Sequence, residues 1–347
     1  MIIILALLIS CSEDPVNPQP LPIVGPDSIR LSSGESLFLA GVNYPWLHYG
    51  HDYGIANNDS STWGYWGINS TETKETVKEQ LRFLAENKVS FLRVFLFCDG
   101  RATPEFDNNN NVIGIDSLFY SDFDTLLSIA KQNSIKLIVT LMDYLWLSDA
   151  KLYNGIKLYG KGDVITNELK RKTFLDNCLA PFISRYGFSP EIVAFELMNE
   201  PEWAIKELGG TNSKTSIHLT VMKDFFNDCI ATIRQNSNVL ITLGCADYKY
   251  LKYWRDIDLD FQTIHAYSMK ANQPPFYLRA DIEQDRKIVI GEFPTKSGVM
   301  NQYEYLNASW NYGYVGAFAW SLNGEDKYSD FDAESFKLWI DSKKIVF

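Results

Sequence analysis

What the sequence lacks removes most cofactor and nucleic-acid chemistry. Neither a Gly-x-Gly-x-x-Gly nor a P-loop follows the first predicted strand, so nothing cradles a nucleotide phosphate. The five cysteines form no Cys-x-x-Cys pair and no cluster with histidine at metal-ligand spacing. Cys98, Cys178, Cys229 and Cys245 read as small buried apolar side chains. Of the four histidines, His48 and His51 are close in sequence but have no third ligand nearby and read as loop residues. No cofactor and no metal are expected. Positive charge is scarce too: 32 Lys and Arg against 43 Asp and Glu leave a net charge of −11. Such a chain cannot build the basic stripe that phosphate backbones require, so no nucleic acid is expected as a partner, whereas a neutral polymer is compatible. There is no internal repeat and no second domain.

The apolar run at the start, Met1 to Ser10, is too short for a usual membrane span. It has no Lys or Arg ahead of it. Leu8-Ile9-Ser10-Cys11 resembles the lipobox of bacterial lipoprotein signal peptides, which implies cleavage before Cys11 and lipidation there. Residues 12–27 follow, carrying Pro15, Pro18, Pro20, Pro22 and Pro26, a spacing that favours an extended, solvated tether. The expected organisation is therefore 1–11 signal, 12–27 tether and 28–347 folded domain. The expected location is an outer membrane or cell surface, with the membrane touched only through the lipid.

From residue 38 onward strands and helices alternate. Strands are predicted at Phe38 to Asn43, Ser90 to Phe97, Ile135 to Met142, Ile192 to Met198, Val239 to Leu243, Phe261 to His265, Ile288 to Gly291 and Val315 to Trp320. Helices are predicted between them, including one long helix from Asn167 to Tyr186, one near Phe276 to Gln284, and Gln302 to Asn311. Thr71 and Thr73 offer caps for the first helix. Eight strand–helix units in one chain of this length point to a single-domain α/β TIM (β/α)8 barrel rather than an open sheet.

In such a barrel the C-terminal strand ends converge on one face, where chemistry is done. Two glutamates stand at those ends: Glu200 in Met198-Asn199-Glu200-Pro201 after the fourth strand, and Glu292 in Gly291-Glu292-Phe293-Pro294 after the seventh. A pair of carboxyl groups facing one another is the minimum apparatus for hydrolysing a glycosidic bond, one protonating the leaving oxygen while the other attacks or activates water. Hydrophobic residues make up 46% and aromatics 14% of the chain, and the aromatic excess suits packing against the C–H faces of sugar rings.

These motifs resemble clan A of the glycoside hydrolases and, within it, family 5. The likeness covers most of the chain after residue 35. It rests on Met198-Asn199-Glu200-Pro201, His265-Ala266-Tyr267, Gly291-Glu292-Phe293, Trp320 at the end of the eighth strand, and Arg93 in Phe91-Leu92-Arg93-Val94 on the second. The resemblance implies a retaining, double-displacement mechanism with Glu200 as acid/base and Glu292 as nucleophile. It further implies that Arg93 and Tyr267 support Glu292, that Asn199 holds the sugar 2-hydroxyl, and that His265 orients Glu200 or the substrate. Arg93 can equally form an internal salt bridge with Glu196. Negative charge on Glu292 is expected to raise the pKa of Glu200.

Asn43 and Trp46 are expected where the first-strand loop enters the cleft. Trp320 and Trp46 are expected near the cleaved bond, Trp203 and Trp146 as outer sugar contacts, Trp63 and Trp66 as loop residues, and Trp254, Trp310 and Trp339 as core. The third strand exit, Leu141-Met142-Asp143-Tyr144-Leu145-Trp146, lacks the histidines of many cellulase-like members and looks more like the β-mannanase branch. The expected partner is thus a neutral β-linked glycan, β-1,4-mannan ahead of β-glucan. A glycan-binding lipoprotein without catalysis is the competing reading, and the full set of polar residues at the strand ends speaks against it.

Overall fold

A computed structural model of the chain describes residues 27–55, 64–210, 214–267 and 286–343. The expected signal and all of the expected tether but its last residue, Asp27, therefore lie outside the described residues, as do Trp63 and the helix expected near Phe276 to Gln284.

Eight parallel strands close into a barrel: β1 (Leu39–Tyr44), β2 (Phe91–Phe95), β3 (Lys136–Thr140), β4 (Ile192–Asn199), β5 (Leu240–Cys245), β6 (Gln262–His265), β7 (Ile288–Pro294) and β8 (Gly316–Trp320). Sequential strands pair all the way round, and β8 closes on β1 through Gly316↔Leu39 to Ala319↔Val42. Every residue of β1, β2, β4, β6, β7 and β8 is buried. The strands are covered on both faces, by helices outside and by lumen side chains within, which is why they read as nearly continuous apolar runs.

Around the barrel lie α1 (Thr71–Glu86), α2 (Ser117–Gln132), α3 (Glu168–Phe174), α4 (Ala180–Tyr186), α5 (Leu219–Asn236), α6 (Gln302–Asn311) and α7 (Ala333–Lys343). α1 turns Val77, Leu81 and Leu84 inward at helical spacing and leaves its charged residues outside. Its cap position is Ser70, whose side chain makes no capping bond, so neither Thr71 nor Thr73 caps it. α6 has a full capping box between Asn301 and Glu304. The single long helix expected from Asn167 to Tyr186 is interrupted: a wide turn over Leu175–Leu179 joins α3 to α4, and Pro181, which has no N–H to donate back, sits in the first turn of α4.

Three short hairpins escape the sequence pattern. Ile29–Arg30 with Ser36–Leu37 closes the N-terminal end of the barrel, where Ile29 and Leu31 pack on Leu39, Phe91 and Phe318. Glu105–Phe106 with Val112–Gly114 and Lys151–Tyr153 with Ile156–Leu158 decorate the loops after β2 and β3. All four cysteines in the described residues are free and buried.

Candidate active site

Alternation along each strand turns every second side chain into the lumen. Near the C-terminal end this rule is broken on two strands. The β4 register shifts between Glu196 and Asn199, so both face inward although three positions apart. β7 shifts between Ile290 and Phe293 against β8, and β6 shifts against β7 beside His265, and Glu292 reaches the lumen there. Glu200 follows β4 in the left-handed region, φ 49° and ψ 49°, a conformation that non-glycine residues hold only when their surroundings fix it. Here the Glu200 N–H donates to the Gly244 carbonyl at 2.7 Å, and two residues on the fully buried Glu202 accepts from the Trp254 indole at 2.6 Å and from the Ala246 backbone at 3.0 Å. Burial pushes that carboxyl up to about 7.

Arg93 lies below the pair of glutamates, wholly buried, and joins five acceptor contacts into one network. Nη1 donates to Glu292 Oε1 at 2.6 Å and to Asn43 Oδ1 at 2.9 Å. Nη2 donates to Asn199 Oδ1 at 2.8 Å, and Glu196 takes two bonds from Nη2 and Nε at 2.5 and 3.0 Å. Space for this pairing depends on Gly244, where a β-carbon would stand 2.6 Å from Glu196 Oε1. On the other side of Glu292, the Tyr267 hydroxyl donates to Oε2 at 2.8 Å; burial and the Glu292 charge hold that phenol firmly protonated.

Glu200 is 20% exposed and is held by Trp203 Nε1 at 2.8 Å and His265 Nδ1 at 2.7 Å. Nε2 of His265 lies 3.6 Å from Glu292. Burial pushes the Glu200 carboxyl upward, but the bond and charge of His265, the Trp203 N–H and the Arg93 cation outweigh it and hold the group below the ordinary range. For His265 burial disfavours the charged form, yet Glu292 and Glu200 outweigh it and raise its pKa. The expected rise at Glu200 is therefore reversed, because the His265 imidazole stands within bonding distance of its carboxyl. Asp143, 8% exposed at the β3 exit, is pushed up to about 7 by burial and by the charges of Glu200 and Glu292, against the bonds it accepts from the Leu145 backbone N–H and from Asn199. Sequence reading used this residue only as a missing histidine.

The remaining expected residues divide. Trp320 and Trp46 meet at 6.2 Å between ring centroids, in one cluster with Phe95, Cys98, Tyr49, Tyr267 and Tyr328 beside the glutamates, and the Trp320 N–H donates to Asp326. Arg93 is buried beneath the site, where it bonds both Glu292 and Glu196 as expected, and Asn43, also buried there, bonds Arg93 and the Gly291 carbonyl. Trp203 is half-buried and its ring N–H bonds Glu200 itself. Trp146 leaves the cleft altogether: a one-turn helix at Tyr144–Leu147 directs it into the core against Phe106 and Phe174, fully buried. Trp66, 46% exposed, packs on His48 in its own loop, and Trp254 and Trp339 are core as expected.

Glu200, His265 and Glu292 each offer an atom within 4.8 Å of the other two, a spacing a metal ion could use. Arg93 already neutralises Glu292, and His265 is drawn to its protonated, non-ligating form, so the set fits proton transfer better than cation binding. Carboxylates this close also match the separation of about 5 Å found in retaining glycosidases, where water has no room between them, rather than the wider gap of inverting ones.

The model of the cellulase family, glycosyl hydrolase family 5, matches residues 49–326. The chain is 25% identical to a mannan endo-1,4-beta-mannosidase of Mytilus edulis over 83% of this chain and 84% of that one. It is 24% identical to the enzyme of the same name from Cryptopygus antarcticus, over 86% and 83%. Its fold is that of the endo-1,4-beta-mannanase from Eisenia fetida, with a TM-score of 0.76 at 23% identity over 92% of this chain and 94% of the other. With a barrel of this order and a family match over well more than half its length, the chain belongs to glycosyl hydrolase family 5 and is a glycoside hydrolase.

Proposed function

We propose that the protein is an endo-acting β-1,4-mannanase that works with retention of configuration. The observation that carries the mechanism is the close approach of the carboxylates of Glu200 and Glu292 at the mouth of the barrel, within 4.8 Å. Glu292, bonded by Arg93 and Tyr267, attacks the anomeric carbon, and Glu200 delivers a proton to the departing oxygen. In the free enzyme that proton rests on Nδ1 of His265, 2.7 Å from Oε1 of Glu200. A glycan that displaces water around the pair favours its neutral form and so moves the proton onto Glu200. After the glycosyl-enzyme forms, Glu200 takes a proton from the incoming water. Asn199 gives its free N–H to the 2-hydroxyl of the reacting sugar, and Trp320 and Trp46 form the apolar wall against which its ring packs.

Mannan as the substrate is supported by the two relatives, each covered over more than four fifths of its length. The sequence Leu8-Ile9-Ser10-Cys11 supports export and lipidation at Cys11, which would hold the enzyme at a membrane surface where polymer arrives from outside.

The test is incubation of the protein lacking residues 1–26 with mannan, β-1,4-glucan and xylan in separate reactions, followed by chromatography and by NMR of the first anomer released. A ladder of manno-oligosaccharides with initial β-anomer is expected. Monomer alone would replace endo by exo action, preference for glucan would overturn the substrate, and initial α-anomer would overturn the mechanism.

A further inference from the structure

We propose that Asp143 is a positioning residue for this hydrolysis, acting on the sugar 2-hydroxyl through the amide of Asn199; the inference rests on the glycosidase reading above. An asparagine amide can turn over and exchange its donor for its acceptor at little cost unless its neighbours forbid it. Here both neighbours do. Arg93 can only donate, and its Nη2 stands 2.8 Å from Oδ1 of Asn199. Asp143 Oδ2 accepts from Nδ2 at 2.8 Å, and with Oδ1 of Asn199 facing an Arg93 that has no acceptor, the turned-over amide would bring two donors together. One hydrogen of Nδ2 is thereby used, and the second is the donor left for a ligand.

Asp143 is itself held from three directions. Its Oδ1 accepts from the Leu145 backbone at 2.9 Å, its own N–H donates to the Cys98 carbonyl at 3.0 Å, and its backbone forms an isolated parallel bridge with Asn199. With 8% of its surface exposed, it is placed to aim a neighbour more than to touch a sugar. The line Glu292, Arg93, Asn199, Asp143 thus runs unbroken across the floor of the site, and the orientation of the amide is set at both ends. A contact that strengthens as charge develops at the ring depends on such prior orientation.

The experiment compares wild type, Asp143→Ala, Asp143→Asn, Asn199→Ala and the Asp143→Ala/Asn199→Ala double variant on an aryl β-manno-oligosaccharide and on its analogue lacking the 2-hydroxyl of the reacting sugar. Asp143→Ala is expected to lower kcat on the parent substrate by about 10- to 100-fold with little change in KM, and to lower it less than about 3-fold on the deoxy analogue. The double variant should be no slower than Asn199→Ala alone, because the two residues act as one unit. Asp143→Asn keeps an oxygen for Asn199 and should recover much of the loss, and it carries the test if the alanine variant does not fold. Equal losses on both substrates, additive losses in the double variant, or an unchanged rate in Asp143→Ala would each overturn the proposal. A wild type that cleaves no β-mannoside would instead overturn the reading on which it stands.

Discussion

The two ends of the barrel lumen are built from the same strands and obey opposite rules. At the N-terminal end Leu39, Phe91, Ile138, Ala194, Val289 and Phe318 fill the space as one dry cluster under the Ile29–Arg30 hairpin. Two residues further along the same strands stand Arg93 above Phe91, Glu196 above Ala194 and Thr140 above Ile138. There the filling is charge, bonded to charge at distances of 2.5 to 3.0 Å. The lower cluster gains free energy by leaving water, whereas the upper network must offset a large desolvation penalty with every bond it makes. One end is organised for stability, the other for holding two carboxylates and a histidine together at the mouth of the barrel.

The sharpest break in that comparison comes from the pair itself. Glu292→Ala should lower kcat on mannan by on the order of 10^4-fold or more. Glu200→Ala should lower it by roughly 10^2- to 10^4-fold, but far less on an aryl glycoside whose leaving group needs no proton. Each change should lower Tm only modestly, because Arg93 keeps Glu196 and His265 keeps the other glutamate as a partner. Steady-state kinetics with both substrate types, beside thermal melts, checks this; a large loss of Tm would mean that the upper layer is structural after all.

Smaller effects follow from substitutions one layer down. Arg93→Met leaves Glu196 and Glu292 buried and uncompensated and should destabilise the fold by about 3–5 kcal/mol while abolishing activity. Adding Glu196→Leu, which removes one of the two uncompensated charges, should restore part of the stability and none of the activity. Phe318→Ala, in the dry cluster, should destabilise by about 3–5 kcal/mol through the cavity it opens yet leave kcat near wild type at temperatures where the variant is folded. Denaturant melts paired with initial rates separate the cases. If Phe318→Ala slowed catalysis as much as it lowered stability, the two ends would not be independent.

The lower end was legible in the sequence because it obeys simple alternation, and so were the eight strands and most helices; Gln302–Asn311 falls where its pattern places it. The upper end departs from alternation at the register shifts of β4 and β7, which aim Asn199 and Glu292, so spacing alone could not tell which neighbours meet. Motif order found Glu200, Glu292, His265 and Tyr267, and Arg93 with its two partners, but it could not tell that Asn43, at the end of the first strand, lies under the cleft. Trp146 fails for a related reason: an aromatic just past a strand looks the same whether the next turn points it outward or, as here, into the core. Hairpins with strands of two or three residues carry too little periodicity to register. The direction of the Glu200 shift depended on His265 being close enough to bond it, a fact of three dimensions only.

The smallest effect is also the one that only the upper end can produce, because the clustered residues of the lower end do not titrate. His265 has a folded pKa above its ordinary 6.5, so its pairing stabilises fully below 6.5 and is lost as pH rises through the folded value. Glu200 has a folded pKa below its ordinary 4.5, so its contribution is present above 4.5 and is lost as pH falls through the folded value. Both act together between about pH 4.5 and 6.5. Asp143 and Glu202, pushed up to about 7, carry a penalty that builds as pH climbs toward that value, but it is common to wild type and variant and cancels in their difference. The Tm difference between wild type and His265→Gln should therefore be largest near pH 5 to 6 and should narrow steadily on the alkaline side. The same proton governs catalysis, since deprotonating His265 empties the acid. In His265→Gln the alkaline limb of kcat/KM should fall at lower pH than in wild type, while in Phe318→Ala it should not move. A limb that stayed in place without the imidazole would mean that Glu200 holds its own proton in the free enzyme and that His265 serves only to orient it.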